Sequence, residues 1–143
     1  MTTIKLRNRD TETSAERGQE FWRGVLLAGG FTALPQWTLN PAPGVGERVA
    51  RIPDELVAML HRLANELAVP LSSVLLAAHA KVLGALSGER EVCTGYTMAI
   101  GPPLPLRMTL EPRSWREVLL DAARTEAELL AHRDFPVDRK SVV

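Results

Sequence analysis

The sequence predicts an α/β fold, one lobe in which a mixed sheet packs against helices, and three observations carry that expectation. Two adjoining segments repeat apolar residues at helical spacing, a third opens on a Ser-x-x-Glu signature, and between them lie two runs with the two-residue alternation of strands. Helices interleaved with strands, and no internal repeat, indicate one α/β unit.

In chain order, residues 1–13 carry charge without periodicity and are expected to form a flexible N-terminus ahead of a lobe spanning 14–143. Ser14 can cap a short helix with Glu16 in its first turn and Phe21, Trp22, Val25 and Leu26 along an apolar edge, stopped by Gly29-Gly30. Residues 31–46, with Pro35, Pro41, Pro43, Gly44 and Gly46, read as an extended connection anchored by Trp37 and Leu39. Residues 48–52 suit a short strand. Pro53-Asp54 then opens a helix over 53–67, whose Leu56, Met59, Leu60, Leu63 and Leu67 share one face while His61, Arg62, Asn65 and Glu66 look elsewhere.

Val69-Pro70 ends that helix, and Ser72 is placed to cap a second over 73–86, closed by Ser87-Gly88. Apolar almost all round, this helix is expected to be the most buried element and nearly inaccessible. A strand follows over 91–99, with Val92, Thr94, Tyr96 and Met98 on one side and Cys93, Gly95, Thr97 and Ala99 on the other. Leu104, Leu106, Met108 and Leu110 give a further strand over 104–110, and Pro105 argues for an edge position. Ser114 caps the last helix, 115–131, with Glu117 completing a capping box and Trp115, Val118, Leu119, Ala122 and Leu129 facing inward.

Composition narrows the function. A chain of 143 residues with 45% hydrophobic content can bury one real core. Seventeen basic and seventeen acidic side chains cancel, which removes the positive field of a general nucleic-acid binder and the polybasic signal of a membrane-surface protein. Proteins or small neutral molecules are the expected partners. One cysteine, Cys93, allows neither an internal disulfide nor a cysteine-based zinc site, and a reducing cytoplasm fits. The polar start has no apolar core of a signal peptide or anchor. An excess of arginine over lysine points to a GC-rich bacterial genome.

Catalytic signatures are sought without success. His61, His79 and His132 stand far apart and form no HxxxH or HExxH pair, so no metal site is expected; His61 reads as exposed and His79 as a hydrogen-bonded core or boundary residue. Ser72 and Ser73 lack the GxSxG elbow of a strained nucleophile, and Cys93 within a strand behaves as a small hydrophobe. His132-Arg133-Asp134 matches a kinase HRD, but Arg139 stands where that loop needs asparagine. Gly44 and Gly46 give only GxG, so no nucleotide site follows. No catalytic residue, cofactor-binding residue or metal ligand is assigned.

Four segments nevertheless resemble, in order, the C-terminal half of nonribosomal peptide synthetase condensation domains, a family with the chloramphenicol-acetyltransferase-like fold. FWRGVL at 21–26 resembles YWRERL, with Gly24 in place of a charged residue. VPLSSVLLAAHAKVLGALSGEREVCTGYTMA at 69–99 is similar to the family's GVT-like cap, buried helix, SGQ-like turn and strand with V-x-x-G, and is the most specific match. PLPLRM at 103–108 resembles the end of IGxFVNTxPLR, and HRDFPVD at 132–138 resembles HQDxPFE. The resemblance implies structural roles for Trp22, Gly95, Arg107, His132, Asp134 and Pro136, with Arg107 and Asp134 as possible partners of each other.

Departures from the family shape the expected function. Its HHxxxDG motif, whose second histidine acts where acceptor amine meets carrier-bound thioester, belongs to the first half, and no HH pair occurs in this chain. Pro102-Pro103 follow Ile100-Gly101 almost at once, so the FVN loop that helps bridge the two lobes reads as deleted. The resemblance therefore implies a truncated, noncatalytic lobe that docks to an adenylation domain or carrier protein, with an adenylation domain expected downstream in the natural chain. Self-association is a further expectation for a half-domain, since it exposes surface that a partner lobe covers. The alternative is half of a split condensation enzyme completed in trans by an HHxxxDG-bearing chain.

Overall fold

A computed structural model describes residues 4–111 and 114–135, with side chains from residue 14 onward. Four helices and two strands follow in the order α1 (Ile4–Leu27), α2 (Asp54–Leu67), α3 (Leu71–Ser87), β1 (Glu91–Tyr96), β2 (Leu104–Thr109) and α4 (Trp115–Ala131). The α/β class agrees with the sequence. The sheet is narrower than expected, an antiparallel β1–β2 pair in register Glu91↔Thr109 to Tyr96↔Leu104, so it holds no parallel pairing among the described residues.

Residues 48–52, expected as a strand, form none. The outer edge of β1 is already taken: Thr32 N–H donates to the Cys93 carbonyl and Cys93 N–H to Thr32 Oγ1, both at 2.9 Å. The strand expected over 91–99 stops at Tyr96, and the one expected over 104–110 stops at Thr109, although Leu110 N–H still reaches the Arg90 carbonyl at 2.5 Å.

One face of the sheet carries Val92, Leu104, Leu106 and Met108, all buried against α3 and α4. The other carries Cys93, Pro105, Arg107 and Thr109 and lies toward α1, whose Trp22 is fully buried. The core is thus a two-stranded sheet between α1 and the α3–α4 pair. Helix α1 starts at Ile4 and not at Ser14, because residues 4–17 contain neither glycine nor proline to interrupt it. Gly18 on α1 allows a close approach: a Cβ there would sit 2.7 Å from the Phe135 ring.

The capping box of α4 forms as expected, Glu117 N–H donating to Ser114 Oγ while Ser114 N–H donates to Glu117 Oε2. Ser72 does not cap α3. That helix starts two residues earlier, after Pro70, whose carbonyl accepts from Ser73 N–H, and both serine side chains point elsewhere. Gly88 closes α3 at φ +77°, a conformation that costs glycine nothing. Ala68 takes the left-handed region at φ 52° to turn α2 into α3, which only two residues separate from it beyond Ala68.

The expectation that α3 is nearly inaccessible needs correction. Helix α3 buries Ser73, Val74, Leu76, Ala77, Ala80, Leu83 and Gly84, but Leu75 is 45% and Val82 58% exposed, because α2, α4 and β1 cover only one side of it. Helix α2 buries Ala64 alone; Leu60, Leu63 and Leu67 are half-buried, and Leu56 and Met59 are exposed. Its apolar stripe is therefore only partly matched by the rest of the described chain. These differences set a stability contrast on one helix. Leu76→Ala should cost about 2–5 kcal/mol through lost burial and a residual cavity, and Leu75→Ala less than about 1 kcal/mol. Urea denaturation of both variants checks this; equal losses would show the helix face to be misassigned.

Candidate functional site

The most concentrated polar feature is a buried carboxylate on α4. Glu126 is 3% exposed. Its Oε2 accepts from Ser73 Oγ at 2.5 Å and Ser72 Oγ at 3.2 Å, and its Oε1 accepts from Tyr96 Oη at 2.6 Å. Three hydroxyls from α3 and β1 thus take the place of water around one charge. The hydrogen bond to Glu126, followed by burial and the neighbouring negative charge, pushes the Tyr96 phenol up to about 12. Ser73 is fully buried, so its hydroxyl is not presented to any substrate. The cluster crosslinks α3, α4 and β1.

Sequence reasoning did not find this cluster, yet a signal was present. Glu126 stands four residues after Ala122 and three before Leu129, on the stripe that faces the core. A carboxylate on that stripe demands donors, and two adjacent serines opposite it can supply them.

The three histidines stay apart in their roles. His61 is exposed. His79, expected at the core or its boundary, is exposed, and shares a 3.1 Å hydrogen bond with Thr94 Oγ1 of β1. His132 stacks on Phe21 with ring centroids 4.6 Å apart, and its carbonyl accepts from Trp22 Nε1 at 3.1 Å. Among the described residues no three His, Cys, Asp or Glu side chains are grouped to hold a metal ion.

Trp22 and His132, assigned separately from sequence, therefore meet and join α1 to the end of α4. Gly95 lies on β1, where a Cβ would come within 3.3 Å of Pro103. Arg107 does not pair with Asp134: its Nη2 donates to the Gly29 carbonyl at 2.9 Å, while the exposed Asp134 carboxylate faces Arg133 at 3.7 Å. The two lie on opposite sides of α1's contacts, Arg107 toward its C-terminal exit and Asp134 beside Ser14, Ala15 and Gly18. Pro136 lies outside the described residues. Cys93 is buried, and burial pushes its thiol up despite the opposing influence of Arg107.

Two of the grooves on this body lie between its helices. One, about 430 Å³, runs between α2, α3 and α4 over Leu60, Leu63, Leu67, Val74, Trp115 and Leu119, with Glu66 and Arg116 among its lining residues. It adjoins the incompletely matched apolar stripe of α2. The other, about 260 Å³, lies along β2 between α1 and α4. No single helix among the described residues is long and apolar enough to cross a membrane.

Comparison with solved structures gives this geometry a context. The chain is similar to the first condensation domain of the calcium-dependent antibiotic synthetase in complex with a substrate analogue, with 26% identity and a TM-score of 0.67, over 90% of this chain and 34% of that one. A second structure of the first condensation domain of that synthetase matches at 24% identity and TM-score 0.63, over 94% and 34%. The chain thus has the fold of a condensation-domain lobe and spans about a third of the length of those structures. No protein-family model matches it, and no curated protein matches it by sequence.

The buried cluster predicts a pH response. Because the folded pKa of Tyr96 lies above its unfolded value of 10, its stabilising contribution is fully present below pH 10 and is lost as pH rises through about 12. The chain has a single tyrosine, so ultraviolet titration reports it alone. Phenolate should appear only near pH 12, and Glu126→Gln should bring the midpoint back toward 10. A midpoint already near 10 in the folded wild-type chain would rule out the Tyr96–Glu126 contact.

Proposed function

We propose that this chain is a noncatalytic, truncated condensation-domain lobe of a nonribosomal peptide synthetase, serving as a structural and docking platform for an adenylation domain or carrier protein in peptide natural-product biosynthesis. The observation that carries the reading is the lopsided match to condensation domains, nearly complete over this chain and about a third of theirs. The histidine pair that the family uses at its reaction centre has no counterpart in the sequence.

Surface chemistry supports docking. The groove between α2, α3 and α4 is lined in part by α2, which also exposes Leu56 and Met59, and apolar patches serve as association sites. The motif residues act structurally in this reading. Trp22 and His132 fasten α1 to α4, Arg107 ties β2 to the exit of α1, and Asp134 and Pro136 belong to the segment that follows α4.

The purified chain is expected to form no peptide bond between an acyl-loaded carrier protein and an amine acceptor. Product is measured for the chain alone, for His79→Ala and His132→Ala variants, and with an HHxxxDG-bearing half added. Turnover by the chain alone that either substitution abolished would overthrow the noncatalytic reading. Turnover that required the added half would replace it with a split enzyme. Docking is read separately by calorimetric titration with an adenylation domain, which Met59→Glu should weaken.

A further inference from the structure

Residues 48–52 have the residue pattern of a strand, yet residues 45–52 join no sheet among the described residues, and Arg51 pairs only locally with Asp54. Val49 is 89% exposed, and the segment makes no backbone hydrogen bond to the rest of the described chain. Glu47 is the one acidic residue between Ala28 and Pro53.

The same chain carries an open strand edge. Cys93 turns its backbone outward to Thr32, so Val92, Thr94 and Tyr96 exchange their hydrogen bonds with Met108, Leu106 and Leu104. By the same alternation Pro105, Arg107 and Thr109 turn their backbone groups to the outer side of β2, where no strand lies among the described residues. That side opens into the groove of about 260 Å³ between α1 and α4. An unmet demand sits there: Arg107 gives Nη2 to the Gly29 carbonyl, but its Nε is buried without an acceptor.

We propose that residues 45–52 of one chain add as a strand to the β2 edge of a second copy, each copy donating and accepting, so that the exchange closes as a two-fold dimer. Glu47 placed opposite Arg107 supplies the missing acceptor as a charge-assisted hydrogen bond. The two-residue alternation then sets Val45 and Val49 on the Glu47 side, toward Phe21 and Val25 of α1. It sets Gly46 and Arg48 on the other side, toward Asp121 and Glu128 of α4. Direct pairing of one β2 edge with another would instead bring two Arg107 side chains together, which like-charge repulsion opposes. The exchange stands apart from the docking function proposed above, because a dimer with no affinity for an adenylation domain would leave it intact.

Sedimentation equilibrium of the full chain tests it. The wild-type chain should be a dimer, Val49→Pro should make it monomeric by removing a ladder donor, and Glu47→Arg should weaken association about tenfold or more. Both substitutions lie on the exposed connection, so circular dichroism should show the body folded in each. Arg107→Glu should also weaken self-association, and mixing it with Glu47→Arg should restore the dimer, since each edge then meets an opposite charge. A monomeric wild-type chain, including one whose residues 45–52 fold back on its own β2, would overturn the proposal. So would a dimer that neither Val49→Pro nor Glu47→Arg disturbs.

Discussion

A carboxylate removed from water must be surrounded by donors, and in this chain that requirement falls on Glu126. Its donors come from two other elements, Ser72 and Ser73 on α3 and Tyr96 at the end of β1, so meeting it fixes how α3, α4 and the sheet stand relative to one another. Apolar contacts within the core are tolerant of small slides; three directed hydrogen bonds to one side chain are not. The penalty for leaving the charge unmet is larger than the net value of any one of the bonds, which makes the cluster a condition on the fold and not an addition to it.

Around that fixed body the other parts are attached at fewer points. Helix α1 is held by Trp22, which is buried and donates to the His132 carbonyl, and by the stack of Phe21 on His132. Arg107 then clamps the exit of α1 through the Gly29 carbonyl, and Thr32 closes the β1 edge. Beyond Thr32 the chain leaves the body, and Trp37, Leu39, Val45 and Val49 are all exposed. A chain with the fold of a condensation-domain lobe, spanning about a third of the matched structures, thus combines a well-determined centre with apolar surface that the described chain does not cover.

How much of this was legible in the sequence depended on whether the signal was local. Helical periodicity and the capping box located α2, α3 and α4 to within two residues, because caps and stripes are encoded within one turn of the chain. Residues 48–52 carried a strand pattern, but strand formation needs a partner edge, and Thr32 occupied the one on β1. The apolar circumference of α3 suggested complete burial, yet how many neighbours surround a helix is a property of the assembled chain and not of its own residues. Trp22 and His132 were each identified from motif similarity, but their contact across 110 positions was not. A serine before an apolar run usually caps the helix, but the placement of Glu126 turns Ser72 away from that role.

The junction of α2 and α3 carries a kinetic consequence. Helix α2 contributes one buried residue, Ala64, and reaches α3 through Ala68 in a left-handed conformation that costs a residue with a Cβ more than it costs glycine. Few buried contacts and a strained hinge define a segment whose opening free energy is separate from that of the whole domain. Amide exchange in α2 is therefore expected to proceed through a local opening that leaves the Glu126 cluster closed, with slower exchange expected in α3, α4 and the sheet. The groove that α2 lines is bounded on one side by the element freest to move away.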